Sequence, residues 1–122
     1  RFYQTFAPAL THGDAAVLKL QRWLQAHASE KITVPSMAAI AGLGERTLLR
    51  RFRQATGLKP TEYVQQLRVG RARDLLERPE STIDEIAWQV GYEDPGTFRK
   101  LFARVMGLSA AEYRRRFACP RR

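Results

Sequence analysis

The sequence predicts an all-α fold of about seven helices, built as two similar helical subdomains joined by a long linker helix. Three observations predict it: an internal repeat, helix start and stop signals in both copies, and no segment with the alternation of a strand. Residues 33–68 lie over residues 82–117. With an offset of 49, Thr33 meets Thr82, Ala38 meets Ala87 and Gly42 meets Gly91. One extra residue enters the second copy within Tyr92-Glu93-Asp94-Pro95. With an offset of 50, Thr47 then meets Thr97, Phe52 meets Phe102, Gly57-Leu58 meets Gly107-Leu108, and Glu62-Tyr63 meets Glu112-Tyr113. A slip confined to a turn is what a repeated helical unit tolerates.

Residues 1–13 hold no steady period and read as an arm or interdomain linker. Asp14 is a candidate N-cap for a helix to about Ala28, along which Val17, Leu20 and Leu24 form one apolar stripe. Trp23, beside that stripe, is expected in the core. Thr33 caps a short helix through Ala41, with Pro35 in its first turn, and Gly42 supplies the positive φ that ends it. A helix follows from Glu45 to about Thr56, with Leu48, Phe52 and Ala55 inward and Gly57 as its stop. Pro60 opens the linker helix, about residues 60–77. Tyr63, Leu67, Leu75 and Leu76 mark its buried side, and Pro79 forbids continuation. Lys59 is a poor N-cap for it.

In the second copy Thr82-Ile83-Asp84-Glu85 is a capping box, in which hydroxyl and carboxylate satisfy two free N–H groups. Asp94-Pro95 is a cap followed by a first-turn proline. Phe98, Leu101, Phe102 and Val105 face inward, and Gly107 ends that helix. Ser109-Ala110-Ala111-Glu112 is a second capping box, opening a last helix to about Phe117. The expected divisions are therefore 14–59, the linker helix 60–77, 78–117, and a basic tail at 118–122.

Among 122 residues, 21 Lys and Arg stand against 12 Asp and Glu, a formal charge of +9. That excess favours a polyanionic partner, and its distribution sharpens the point. Residues 45–73 are net +6 and residues 99–122 net +7, whereas residues 74–98 between them are net −6. A polybasic tail would look different. The acidic block reads either as charge balance, the favoured reading, or as a device that keeps the second copy's first helix off the backbone. Cys119 is the single cysteine, so no intrachain disulfide can form. His12 and His27 lack neighbours of ligand spacing, so no metal site is expected. No nucleophile, base and acid fall together, so neither enzyme activity nor a cofactor is expected. Gly42-Leu43-Gly44 has no preceding strand and reads as a turn, not a dinucleotide loop. No apolar run of spanning length and no signal-peptide pattern occur, so no membrane partner and a cytoplasmic location are expected. The start at Arg1 rather than Met suggests an excised domain or a processed product.

Each copy reads as a short helix, a tight turn at glycine, and a longer helix whose outer face stays free. In the first copy that face holds Arg46, Leu49, Arg50 and Arg53, at spacings of three and four. In the second it holds Gly96, Arg99, Lys100 and Ala103, with Thr97 nearby. Such a helix fits a major groove, where arginine donates two hydrogen bonds to guanine O6 and N7 and leucine offers contact to a thymine methyl. Arg114-Arg115-Arg116 reads either as a phosphate clamp or as solubilising charge. Trp88 falls on the outer side, one position after Ala87, where packing on a neighbouring helix is favoured over a partner contact.

The stretch from Gly42 to Gly57 resembles the first helix-turn-helix of the AraC/XylS family of bacterial transcription regulators. Glu85-Ile86-Ala87-Trp88-Gln89-Val90-Gly91-Tyr92 through Phe102, with Gly107-Leu108-Ser109 and Glu112-Tyr113-Arg114, is similar to that family's second-copy signature. The resemblance covers roughly residues 14–117. It implies two helix-turn-helix subdomains on a rigid linker, with the helices at about 45–56 and 95–106 in successive major grooves of double-stranded DNA. It implies base contacts from Arg46, Leu49, Arg50, Gly96, Arg99 and Lys100, and phosphate contacts from Arg51, Arg53, Thr97 and Arg104. Gly44 stands where the family usually has a Ser cap, and Gly96 offers no side chain where polar readers are common. Successive grooves on one face recur every ~34–36 Å, and a linker of roughly 17 residues spans about 25 Å. RNA polymerase and a separate N-terminal sensing or dimerising domain are the further partners implied. The opening residues are similar to regulators whose other half has a DJ-1-like amidotransferase fold. Two other readings remain: a non-specific anionic-surface or RNA-binding helical protein, and a helical adaptor whose charge serves solubility.

Overall fold

The computed structural model describes residues 10–118. Seven helices make up their regular structure, with no strand among the described residues: α1 (Ala15–His27), α2 (Val34–Ala41), α3 (Glu45–Thr56), α4 (Pro60–Leu76), α5 (Ile83–Gln89), α6 (Pro95–Met106) and α7 (Ala110–Phe117). The chain divides into two compact units inside α4, after Gln65. No helix among the described residues is long and apolar enough to cross a membrane. The arm at 1–9 and the tail at 119–122, with Cys119, lie outside the described residues.

In the first unit the Asp14 carboxylate accepts the Val17 amide at 3.2 Å and starts α1. α1 packs on α2 and α3. Val17, Leu20, Leu24, Met37, Leu48 and Phe52 are fully buried. Each such side chain contributes about 1.5–3 kcal/mol by leaving water. Tyr63 closes this core from α4, its ring edge-on to Phe52 at 5.2 Å. One polar residue sits inside. Gln21 is fully buried, donates to the Tyr63 hydroxyl at 3.3 Å and meets His12 Nε2 at 2.7 Å. His12 Nδ1 accepts the Asp14 amide at 3.0 Å, so Nε2 is left to donate to Gln21. Trp23 departs from expectation: it is half-buried, stacked on His27 at 4.4 Å on the margin of the unit.

The second unit repeats this chemistry. Phe102 is as buried as Phe52, and Tyr113 as Tyr63. Thr33 and Thr82 both make capping boxes, with Ser36 and Glu85 reaching back to the cap amides. The Leu43 amide donates to Ala38 O and the Tyr92 amide to Ala87 O, the same turn in both copies. Gly57 and Gly107 end α3 and α6 at φ 79°, a conformation that favours glycine. The inserted residue falls between Tyr92 and Pro95, where Asp94 caps α6.

Two details of α4 were not legible beforehand. Glu62 Oε1 accepts the Lys59 amide at 2.9 Å, so the returning half of a capping box starts the helix without a hydroxyl at the cap. Its burial also falls in two stripes out of register, Tyr63 and Val64 in the first unit, then Val69, Ala72 and Leu76 in the second. Leu67 and Leu75, expected inside, are half-buried.

Candidate nucleic-acid interface

The exposed faces of α3 and α6 follow directly from what each helix buries. α3 turns Leu48 and Phe52 inward, which leaves Arg46, Leu49, Arg50 and Arg53 exposed. Leu49 stays 42% exposed, a large apolar side chain set among cations without a core to enter. Arg46, Arg50 and Arg53 form no ion pair among the described residues. Their five-donor forks are therefore free for an anionic or polar ligand. α3 begins at Gly44 with no side-chain cap.

α6 turns Phe98, Leu101, Phe102 and Met106 inward and exposes Gly96, Thr97, Arg99, Lys100 and Arg104. A Cβ built on Gly96 meets only the Asp94 carboxylate, at 3.5 Å. This face therefore has room for a ligand to approach the backbone. Asp94 accepts the Gly96 and Thr97 amides at 3.2 and 3.1 Å and the Thr97 hydroxyl at 2.7 Å. The Thr97 hydroxyl first, then those two amides, hold the Asp94 carboxyl below the usual carboxylate range, so the cap stays charged.

Three of the expected contact residues carry intramolecular partners. Arg51 forks Asp14, with Nε to Oδ2 at 3.0 Å and Nη2 to Oδ1 at 2.7 Å. That fork is the main reason the Asp14 carboxyl titrates below its ordinary value. Thr97 gives its hydroxyl proton to Asp94. Arg99 lies beside Asp84, Nη2 to Oδ1 at 2.8 Å. Asp84 has no counterpart among the expected contacts; only the fold brings α5 and α6 side by side.

The acidic block is spent locally rather than only balancing charge. Glu77 accepts the Tyr113 hydroxyl at 2.6 Å, Glu85 closes the cap of α5, Asp94 caps α6 and Asp84 meets Arg99. Arg114 also turns inward: its Nε donates to Leu76 O at 3.1 Å and its Nη2 to Arg78 O at 2.8 Å, closing the end of α4. Arg115 and Arg116 stay exposed. Trp88 is 55% exposed rather than packed on a neighbouring helix; its indole N–H donates to Glu93 O at 3.2 Å.

A short helix with one buried face, a glycine turn and a second helix with a cationic outer face define the class: a helix-turn-helix domain, here in two copies. The family described as Helix-turn-helix domain matches residues 37–116. With its relatives, this places the chain in the AraC-type family of helix-turn-helix domains, to which it belongs. The HTH-type transcriptional activator RhaR of Klebsiella pneumoniae subsp. pneumoniae is 37% identical over 114 residues, covering 93% of this chain and 41% of the relative. RhaS of Enterobacter sp. (strain 638) is 35% identical over 105 residues, covering 86% and 38%. The chain thus spans about two fifths of the length of these curated relatives. Among solved structures, the DNA-binding domain of AdpA in complex with a target DNA superposes with a TM-score of 0.79 at 34% identity, covering 84% of this chain and 92% of that one. The C-terminal domain of AraT, a response regulator from Geobacillus stearothermophilus, gives 0.81 at 29% identity, covering 86% and 88%.

Proposed function

We propose that this chain is the DNA-binding domain of a bacterial transcription activator and binds double-stranded DNA in a sequence-specific manner, in the cytoplasm. The observation that carries this reading is the repeated cationic face. Arg46, Leu49, Arg50 and Arg53 on α3 recur as Gly96, Arg99, Lys100 and Ala103 on α6, all directed by the helix's own buried stripe. Solvated charge needs no such register. α3 and α6 each enter a major groove, the two boxes lying about one helical turn apart on one duplex. Arg46, Arg50, Arg99 and Lys100 supply the base contacts, Leu49 packs against a thymine methyl, and Gly96 allows close approach of the backbone. Arg53 and Arg104 hold phosphate. Arg51 shares its charge with Asp14 and Thr97 gives its hydroxyl proton to Asp94, so their share is smaller than the sequence alone implies. Phosphate contacts provide most of the affinity and a steep salt dependence.

RNA polymerase is the enzyme such an activator engages, and a sensing or dimerising domain lies outside these residues. The relatives, more than twice as long, support that second partner. A gel shift with a pool of random duplexes, the matching single strands and an RNA of the same length tests the core reading. Preferential retention of duplexes, with enrichment of one sequence class over successive rounds, is the expected result. Equal retention of all three would favour a general anionic-surface binder, and no retention at low salt a protein-binding adaptor.

A further inference from the structure

We propose that Asp84 is a positioning residue for Arg99, holding its guanidinium so that it reads a base rather than a phosphate. The inference deepens the DNA-binding reading above and rests on it. Arg99 projects from the exposed face of α6, its side chain 53% exposed, and Asp84 from the first turn of α5, 47% exposed. Both belong to the same compact unit. Arg99 Nη2 lies 2.8 Å from Asp84 Oδ1. That oxygen is sealed from solvent and no N–H is aimed along its lone pair, so the contact is a close charge pair rather than an aligned hydrogen bond. The pair is about half exposed, so it acts as a restraint on the guanidinium rather than as a buried ion pair. Arg99 is therefore held near Asp84 through four rotatable bonds it would otherwise explore.

The carboxylate takes one nitrogen of a five-donor fork, and the remaining donors are available. A guanine edge offers two neutral acceptors, O6 and N7, so a guanidinium beside Asp84 can also donate to guanine without bringing a second anion to it. A phosphate is an anion. To take it, Arg99 must either abandon the sealed Asp84 oxygen or hold two anions at one cation. Asp84 thus penalises the sequence-blind contact and leaves the sequence-reading one. Its neighbour Glu85 is occupied in capping α5 and does not share the task.

The test is selection from a pool of duplexes with a randomised core, followed by titration of the enriched duplex and a scrambled one. It uses the 122-residue chain and its Arg99→Ala, Asp84→Asn, Asp84→Ser, Asp84→Glu and Asp84→Asn/Arg99→Ala variants, each checked by thermal melting. Asp84→Asn should bind scrambled duplex more tightly, steepen the salt slope by about 1, and lose about fivefold or more of its discrimination at one base pair. Asp84→Ser should match it and Asp84→Glu should recover part of the loss. In the Arg99→Ala background the Asp84→Asn effect should vanish. Unchanged discrimination and slope in Asp84→Asn, beside a loss in Arg99→Ala, would overturn the proposal and leave base reading intact. An Asp84 effect that persists without Arg99 would overturn it too, since Asp84 would then act on DNA directly. If Arg99→Ala itself leaves the selected sequence unchanged, Arg99 reads no base, and that reading falls with the proposal.

Discussion

Replacing Arg114 separates two roles that sequence cannot tell apart. The last carbonyls of a helix lack intrahelical donors. Arg114 supplies one to the last carbonyl of α4, Leu76 O at 3.1 Å, with a longer contact of 3.5 Å to Leu75 O, and ties down the following turn through Arg78 O at 2.8 Å. A hydrogen bond from a charged donor contributes about 1.5–3 kcal/mol when well shielded. Arg114 is half-buried and the Leu75 contact is marginal, so about 1 kcal/mol for each of the two good contacts is reasonable. Arg114→Ala should therefore cost the second unit about 2 kcal/mol, and Arg114→Lys, which keeps a single point of donation, about half of that. Exposed Arg115→Ala should stay within about 0.5 kcal/mol of the parent. Urea unfolding followed by circular dichroism gives the free energies. Trp88 fluorescence in a Trp23→Phe background reports on the second unit, because each unit carries one tryptophan. In a melting experiment the second unit should fall by roughly 10 °C. Unchanged stability together with weakened duplex binding would refute the capping argument and restore Arg114 to the phosphate contacts.

Arg50→Ala should cost about 1–3 kcal/mol of discrimination and relax choice at one or two base pairs, whereas Arg53→Ala should weaken all duplexes alike and shrink the salt slope by about 1. Titrations at several salt concentrations distinguish the two, and exchanged behaviours would reverse the assignments. Tyr92 keeps a buried hydroxyl that meets no hydrogen-bond partner among the described residues, its ring lying under Arg68 at 4.9 Å. Tyr92→Phe should accordingly raise stability by about 1 kcal/mol, and a lower melting temperature would contradict this. Asp14→Asn keeps a good N-cap but loses the Arg51 fork. Because that fork lowers the folded-state pKa of Asp14, its contribution is complete above the unfolded carboxylate value and is lost as pH falls through the folded one. The stability gap between parent and variant should thus be widest above about pH 4 and close in stronger acid; a gap independent of pH would rule out this origin.

What the sequence disclosed was short-range chemistry. Thr33, Thr82, Asp94 and Ser109 act within three residues of themselves, and Gly57 and Gly107 within four, so the helix limits could be read within a residue or so. The outward faces of α3 and α6 followed because Leu48, Phe52, Phe98 and Phe102 leave only one side free. Pairings across the chain were illegible. Asp14 with Arg51 spans 37 residues, Gln21 with Tyr63 spans 42, and Arg114 with Leu76 spans 38. Nothing local distinguishes an arginine that folds back from one that waits for a ligand. The linker helix defeated periodicity for a related reason: Val64 and Val69 serve different cores, so no single stripe describes both. Lys59 looked wrong as a cap because the work is done from Glu62.

The central claim, that α3 and α6 read separate boxes of one duplex, is tested most directly by parallel selection from a randomised duplex pool. The parent chain, an Arg46→Ala/Arg50→Ala variant and an Arg99→Ala/Lys100→Ala variant are run side by side, and the enriched sequences compared. The parent should return two short boxes centred about 10–10.5 base pairs apart, and each variant should lose a different one while keeping the other. If both variants lose the same box, or the parent enriches no sequence, α3 and α6 do not share the reading and the account is wrong.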